Sequence, residues 1–181
     1  MSLKTELVTS FEPTNLWWDK GSGADDDIAF WRVSPPSGYF AVGDYAQGNY
    51  GQPSGACLVV ASDDPNALAR PTDFQQVWND KGSDSDEDGS LWIPIAPAGY
   101  VTLGCIAQRG YDTPTRSDIR CVRSDLVTEG RFSQLIWADH GSGGDNDVSI
   151  YGIRKADGTG LGYFMAQGNY DPPQGTPYAP K

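Results

Sequence analysis

The sequence has few of the residues on which many enzyme and metal sites depend. Its 181 residues include a single histidine, His140, and three cysteines, Cys57, Cys105 and Cys121. One histidine argues against a Ser-His-Asp triad and against a zinc site built on histidines. An odd number of cysteines without a Cys-x-x-Cys pair is not a disulfide framework. We therefore expect the cysteines to be small buried hydrophobic side chains.

Basic residues are also scarce, and long apolar runs are missing. Lysine and arginine number 13 against 24 acidic residues, which gives a net charge of −11. That charge disfavours binding to nucleic acid, and to an anionic membrane unless a cation bridges the two. No apolar run approaches the length of a transmembrane helix, and the N-terminus shows no signal peptide. A soluble protein, cytoplasmic or exported by a non-classical route, is expected, and the localisation stays open.

What the sequence does contain is a threefold repeat. The pattern W-x-D-[KH]-G-S-x-x-D-x-D begins at Trp17, Trp78 and Trp137. A second block follows each copy: AQGNYGQP from Ala46, AQRGYDTP from Ala107 and AQGNYDPP from Ala166. Two blocks that repeat in step indicate three homologous units within one domain, residues 1–181.

The 22 glycines and 13 prolines cut each unit into short strands joined by turns. The third unit shows no counterpart of the strand-like segments 57–62 and 119–124, and the N-terminal segment 2–10 has suitable β-composition. We predict an all-β fold, a β-prism of three antiparallel sheets with internal pseudo-threefold symmetry, whose N-terminal strand closes the third unit. The units would be residues 11–70, 71–130, and 131–181 plus 1–10. A trefoil is the rival, although its lobes are usually shorter.

The segment WWDKGSGADDDIAFWRVSPPSGYFAVGDYAQGNYGQP, residues 17–53, resembles the Vps62-related family, whose repeats also occur in Vps13-like proteins. The second unit keeps WNDKGS and AQRGY but has Cys105 where the family usually has Asp, as at Asp44. The third unit loses the Pro-Gly-Tyr turn. The resemblance implies a β-prism-like fold. Such prisms also occur as lectins and as membrane-targeting modules attached to pore-forming proteins.

The acidic loops are candidate calcium sites, because Ca²⁺ prefers carboxylate and carbonyl oxygens on a flexible loop. They are not EF-hands, since Ile95 stands where the loop from Asp84 would need its twelfth-position Glu. The alternative is that the acids only stabilise tight turns. The predicted metal ligands are Asp25, Asp27, Asp86, Asp88, Asp145 and Asp147, with help from Asp19, Asp80 or Asp139.

A second candidate site lies in the Ala-Gln-x-x-Tyr loops. Amides and a phenol could hydrogen-bond sugar hydroxyls while an aromatic ring supplies a platform. The alternative is that these side chains only fix the loops. Trp18 joins the candidates because the other units have Asn79 and Ala138 at its position. The predicted ligand-binding residues are Trp18, Gln47, Asn49, Tyr50, Gln108, Tyr111, Gln167, Asn169 and Tyr170.

Polar residues spread over three copies do not single out one catalytic site, so we expect no enzyme. The pattern favours a non-catalytic binding module with lectin-like recognition of glycans or a glycosylated surface, with Ca²⁺ as the candidate cofactor. Weak repeated sites would gain avidity from multivalency. The alternatives are a Ca²⁺-dependent membrane-targeting or sorting adaptor and a purely structural domain.

Overall fold

The computed structural model describes residues 3–115 and 118–181, which form β-strands and one turn of 3₁₀-helix (Ser124–Leu126). The strands are β1 Lys4–Val8, β2 Trp17–Trp18, β3 Ala29–Trp31, β4 Phe40–Ala41, β5 Tyr45–Gln47, β6 Cys57–Ala61, β7 Leu68–Ala69, β8 Asp73–Asn79, β9 Gly89–Ile95, β10 Tyr100–Val101, β11 Ile106–Arg109, β12 Cys121–Arg123, β13 Val127–Glu129, β14 Arg131–Ala138, β15 Ser149–Arg154, β16 Gly160–Gln167 and β17 Tyr178–Pro180. Within these ranges no helix is long and apolar enough to span a membrane.

The predicted all-β class with antiparallel sheets is confirmed, but the division into three sheets is not. Strand pairing in the described residues gives five sheets: β1-β6-β4, β10-β12-β7, β11-β9-β8, β13-β17 and β14-β15-β16-β5-β3-β2. The last sheet joins the third repeat to the first through the pair Tyr163↔Tyr45. This sheet therefore crosses the boundary between two repeats.

The prediction that the N-terminal strand closes the third unit is wrong. Strand β1 pairs with β6 of the first repeat, in a register from Lys4↔Ala61 to Val8↔Cys57. The reason is burial: all five residues of β6 are buried, and this strand has β1 on one edge and β4 on the other. The third repeat has its own last strand, β17, which pairs with β13.

Each repeat therefore pairs its first strand with its last one. The pairs are β1 with β6, β7 with β12, and β13 with β17. Residues 4–8 belong by this pairing with the first repeat. The C-terminal strand was missed because proline, here Pro177 and Pro180, cannot donate to a ladder and weakens the strand signal.

Two apolar clusters fill the interior. The smaller cluster contains Trp17, Trp78 and Trp137, whose rings meet edge to face with centroids 5.7 and 5.9 Å apart. The three cysteines are buried and unpaired, as expected. The larger cluster packs around β6 and the strands that flank it.

The backbones of the three repeats meet where the chain passes Gly43, Gly104 and Tyr163. A Cβ on Gly43 would lie 2.8 Å from the Gly104 Cα, and one on Gly104 would lie 2.8 Å from the Tyr163 Cβ. These distances are shorter than atomic contacts allow, so glycine is required at both positions. We call this place the junction of the repeats.

Candidate functional site

The three acidic loops, residues 17–28, 78–89 and 137–148, interlock in a ring that we call the loop ring. Each loop receives one backbone hydrogen bond from another: Asp86 N donates to Lys20 O at 2.7 Å, Asp145 N to Lys81 O at 2.8 Å and Asp25 N to His140 O at 2.8 Å. The bonds run in one direction, from the second repeat to the first, the third to the second, and the first to the third.

The loop tryptophans form a second set of hydrogen bonds between the loops. The indole Nε1 of Trp17 donates to Glu87 O at 2.8 Å, that of Trp78 to Asn146 O at 3.0 Å and that of Trp137 to Asp26 O at 2.8 Å. Each tryptophan is buried, so its ring anchors its own loop to the core while its N–H holds the next loop.

The acid of the W-x-D element braces its own loop from within. The Asp19 Oδ1 accepts hydrogen bonds from Ile28 N at 3.0 Å and from the Tyr50 hydroxyl at 2.7 Å, and its Oδ2 accepts one from Ser22 Oγ at 3.2 Å. Asp80 and Asp139 repeat this set. All three carboxylates are buried, and their oxygens accept bonds from the loop itself and from the tyrosine of the following Ala-Gln loop.

These bonds also set the acidity of the groups involved. Burial raises the pKa of Asp19, while its bonds from Ile28 and Tyr50 act in the opposite direction. Burial first, and then the bond to Asp19, raises the pKa of Tyr50 well above its usual range. Tyr111 and Tyr170 are shifted in the same direction by burial and by Asp80 and Asp139. The phenols are therefore protonated donors that tie the Ala-Gln loops to the loop ring.

The six predicted metal ligands lie exposed on the loop ring and do not converge. Among the described residues no group of three or more His, Cys, Asp or Glu side chains is placed to hold a metal ion. Asp25, Asp86 and Asp145 each lie against a glycine of another loop, namely Gly141, Gly21 and Gly82. The helper acids Asp19, Asp80 and Asp139 are occupied by hydrogen bonds. The described side chains do not assemble the shell of six to eight oxygens that Ca²⁺ takes, and Ca²⁺ binding stays a prediction.

The glutamines of the Ala-Gln loops turn inward. Gln47 Nε2 donates to Asn49 Oδ1 at 2.8 Å and to Gly51 O at 2.9 Å, while its Oε1 accepts from Tyr45 OH and Ser54 N, both at 3.1 Å. Gln167 makes the matching bonds, with Nε2 to Asn169 Oδ1 at 2.8 Å and Oε1 from Gln174 N at 3.1 Å. Gln108 Nε2 donates to Asp112 O.

These contacts assign a loop-forming role to Gln47, Gln108 and Gln167, together with the Asn49 and Asn169 side chains. Whether the loops also bind a ligand stays a prediction. The tyrosine rings remain accessible, and Tyr170 is 38% exposed.

Sequence reasoning missed what covers those rings. The Lys20 Nζ lies 3.9 Å from the Trp18 ring centroid and 5.2 Å from that of Tyr50, and the Lys81 Nζ lies 4.9 Å from the Tyr111 centroid. The His140 and Tyr170 ring centroids are 3.8 Å apart. These are the basic residues that follow the W-x-D acid in each repeat. Their matching positions in the repeats were visible, but each partner tyrosine lies 30 residues further on, beyond the reach of local patterns.

A cleft of about 390 Å³ opens between the first two repeats, and we call it the Trp18 cleft. Its walls include Asn15, Trp18, Trp31, Tyr50, Glu87 and Arg109. The Arg109 Nη1 pairs with Glu87 Oε2 at 2.6 Å, and its Nη2 donates to Asn15 Oδ1 at 3.0 Å. The equivalent positions hold Gly48 with Asp26 and Gly168 with Asn146, so the sequence did signal that this boundary differs from the other two.

The fold and the loop ring define an all-β protein built from three homologous, loop-bearing repeats. The profile of the family described as Vacuolar protein sorting-associated protein 62 (Vps62) matches residues 2–170, and the chain belongs to this family. The predicted resemblance is thereby confirmed.

A solved structure gives a close match in fold. It is the crystal structure of GNIP1Aa from Chromobacterium piscinae, with a TM-score of 0.84 and 30% sequence identity. The match covers 95% of this chain and 34% of the GNIP1Aa chain, so this chain spans about a third of that protein's length. A comparison with curated protein sequences gave no match.

Proposed function

We propose that this protein is a non-catalytic binding module that recognises carbohydrate at the loop ring. The observation that carries the proposal is the threefold repetition of one braced loop that presents an aromatic ring beside a basic side chain. The three sets are Trp18–Lys20–Tyr50, Lys81–Tyr111 and His140–Tyr170. Aromatic rings in fixed positions suit the apolar faces of sugar rings, and polar neighbours suit the hydroxyls.

Pre-organisation supports this proposal. Each ring is held by its phenol bond to a buried carboxylate, at 2.6 to 2.7 Å in all three repeats. A ligand would therefore meet side chains whose ordering has already been achieved on folding, and this lowers the entropic cost of binding. The same bonds argue against catalysis, because they keep the phenols protonated and engage the buried acids.

Multivalency would make weak sites useful. Three similar sites on the loop ring could engage a glycan-coated surface together, so that avidity exceeds the affinity of each site. The fold also occurs within the longer GNIP1Aa chain, as expected for a module that can be attached to other domains.

A glycan array tests the proposal directly. We expect binding by the full chain, and weaker binding by a variant with Lys20→Ala, Lys81→Ala and His140→Ala, which removes the polar partner beside each ring without touching the phenol bonds. The array is run in EDTA and in millimolar Ca²⁺. Binding to no glycan in either buffer contradicts the proposal. Flotation with anionic vesicles only in Ca²⁺ would instead favour a membrane adaptor.

Calcium binding is tested separately by melting. A ligand at about 100 times its Kd adds roughly 2.7 kcal/mol per site, and each kcal/mol raises the Tm of a domain of this size by about 2–4 °C. Filled calcium sites should thus raise the Tm well above error, and Asp27→Asn, Asp88→Asn and Asp147→Asn together should abolish the rise. An unchanged Tm in both Ca²⁺ and Mg²⁺ assigns the acids to turn formation alone.

A further inference from the structure

The first repeat lacks a hydrogen bond that the other two repeats form, from a serine hydroxyl to a backbone carbonyl of the Ala-Gln loop. In the second repeat Trp92 Nε1 donates to Ser90 Oγ at 2.8 Å, and Ser90 Oγ donates to Gly110 O at 2.7 Å. In the third repeat Ser149 Oγ donates to Asn169 O at 2.7 Å. The first repeat has Ala29 at the serine position.

The consequence is an unpaired buried donor. Trp31 stands where the second repeat has Trp92, it is 3% exposed, and its Nε1 has no hydrogen-bond partner among the described residues. Leaving a buried N–H without an acceptor is unfavourable. Such a group calls for an explanation, and a bound ligand is one.

The unpaired donor belongs to the wall of the Trp18 cleft. Trp31 lines the cleft together with Tyr50 and Gln52 of the following Ala-Gln loop. In the second repeat the matching N–H points, through Ser90, towards the carbonyl of Gly110 in that same loop. By this equivalence the Trp31 N–H faces the side chain of Ala29 and, beyond it, the loop that forms one side of the cleft.

The remaining walls indicate a neutral ligand with hydroxyl groups. The Arg109 guanidinium is taken up by Glu87, by Asn15 Oδ1 and by the carbonyls of Asn15 and Leu16, so it is not free for an anion. Lys20 Nζ lies against one face of the Trp18 ring, 3.9 Å from its centroid, and does not line the cleft, so Trp18 offers the cleft its other face. Glu87 offers a carboxylate acceptor. The corresponding boundaries have Ala138 or Asn79 in place of Trp18 and lack this combination.

We propose that the Trp18 cleft binds one neutral pyranose ring, which stacks on Trp18, donates a hydroxyl to Glu87 and receives the Trp31 N–H on an oxygen. The proposal rests on the carbohydrate function given above and names one asymmetric site for it. A volume of about 390 Å³ lies within the range of small-molecule sites, roughly 300–1,000 Å³.

The indole N–H signals provide the test. The chain has six tryptophans and thus six indole resonances in a ¹⁵N spectrum, which single Trp→Phe variants assign. The full chain is titrated with the methyl glycosides of glucose, mannose and galactose, and with choline chloride as a cationic control. We expect one glycoside to shift the Trp18 and Trp31 signals and to leave the Trp92 signal in place.

Two variants sharpen the result. Trp18→Asn introduces the residue of the second repeat and should weaken binding at least about tenfold, through loss of one stacked ring. Ala29→Ser supplies Trp31 with the partner found in the second repeat and should weaken binding roughly two- to tenfold, the worth of one hydrogen bond. Ala29→Ser alters no residue that lines the cleft, and melting checks that both variants fold.

The outcomes separate this site from the general function. Glycan binding on the array, with no glycoside shifting Trp18 or Trp31, overturns the cleft site and leaves the binding module standing. Failure of both experiments overturns both proposals. If Ala29→Ser and the parent chain bind the glycoside with equal affinity, the Trp31 N–H does not contact the ligand. If only choline shifts the signals, the cleft binds a cation and the sugar proposal is wrong.

Discussion

The loop ring and the junction of the repeats are built from the same three units, yet one is alike in all three and the other is not. In the loop ring every repeat has the same buried acid, tryptophan and phenol. At the junction the equivalent residues are Asp44, Cys105 and Phe164, which are joined by backbone bonds from Asp44 N to Cys105 O and from Cys105 N to Phe164 O.

The difference follows from space and charge. The three loops occupy separate positions around the loop ring, so each can bury its own carboxylate with its own hydrogen-bond donors. At the junction three segments of the chain lie against one another, and three buried carboxylates there would repel one another. The junction instead contains one carboxylate, that of Asp44, and Arg32 neutralises it. Arg32 contacts Asp44 through two nitrogens and also pairs with Asp118 at 3.0 Å.

Breaking the junction pair is expected to have the largest effect. Asp44→Ala leaves the buried Arg32 without its main partner and Ala107 N without its 2.9 Å acceptor. Removing one partner of a buried pair costs about 3–5 kcal/mol, and the Tm should fall by roughly 6–20 °C at about 2–4 °C per kcal/mol. Thermal unfolding measures this.

The matched control for the junction comes from the second repeat, which has Ile93 and Cys105 at these two positions. The double variant Arg32→Ile with Asp44→Cys removes both charges and should recover most of the loss, since the two residues are coupled. A double variant that is less stable than Asp44→Ala would show that the ion pair itself is required.

Gly89→Val tests whether the loop ring is as uniform as its sequence pattern indicates. The other repeats have Ile28 and Val148 at this position, so the repeats alone predict a harmless change. A Cβ at Gly89 would however collide with the Trp17 indole. Overpacking of this kind costs about 1–3 kcal/mol. Denaturant unfolding should show the loss, and Val148→Ala serves as the comparison for a change in volume at the third copy.

Tyr111→Phe removes one phenol bond of the loop ring and should cost about 1–2 kcal/mol, because its acceptor, Asp80, is a buried carboxylate. The raised pKa of Tyr111 gives a pH test. The contribution is complete below pH 10, the ordinary tyrosine pKa, and is lost as the pH rises through the higher folded-state value. Tyr50→Phe and Tyr170→Phe should give similar values, and strongly unequal ones would contradict the equivalence of the three braces.

Ala29→Ser is expected to have the smallest effect and the opposite sign. The hydroxyl would accept from Trp31 Nε1 and donate to the Asn49 carbonyl, as Ser90 does for Trp92 and Gly110. The gain is about 0.5–1.5 kcal/mol, measured as a higher midpoint of unfolding. A loss of stability would mean that the first repeat has no room for the hydroxyl.

The repeats, the all-β class and the family could be predicted from the sequence, because they depend on recurring residues and on local patterns. The partner of the N-terminal strand could not be. Strand composition at residues 4–8 is compatible with several edges, and the choice depends on the burial of β6, which no local pattern reports.

The sequence predicted which segments form the candidate site, but not the contacts that their side chains make. The W-x-D acids and the Ala-Gln loops do come together, but the sequence did not show that Tyr50 donates to Asp19 across 31 residues. Nor did it show that Gln47 turns inward to bond its own loop. Side-chain direction in irregular loops depends on contacts between repeats, and a single sequence does not contain them.

The one-way order of bonds in the loop ring has a consequence for how such a protein can grow or shrink. In open repeat arrays the end units need polar caps, and units can be gained or lost one at a time. Here Asp86 bonds to the first repeat, Asp145 to the second and Asp25 to the third, so every unit is both donor and acceptor and no unit is terminal. Deleting one unit would leave the other two with a donor and an acceptor that face no neighbour. Copy number in this architecture is therefore fixed by closure, and variation between relatives is expected within the loops rather than in the number of units.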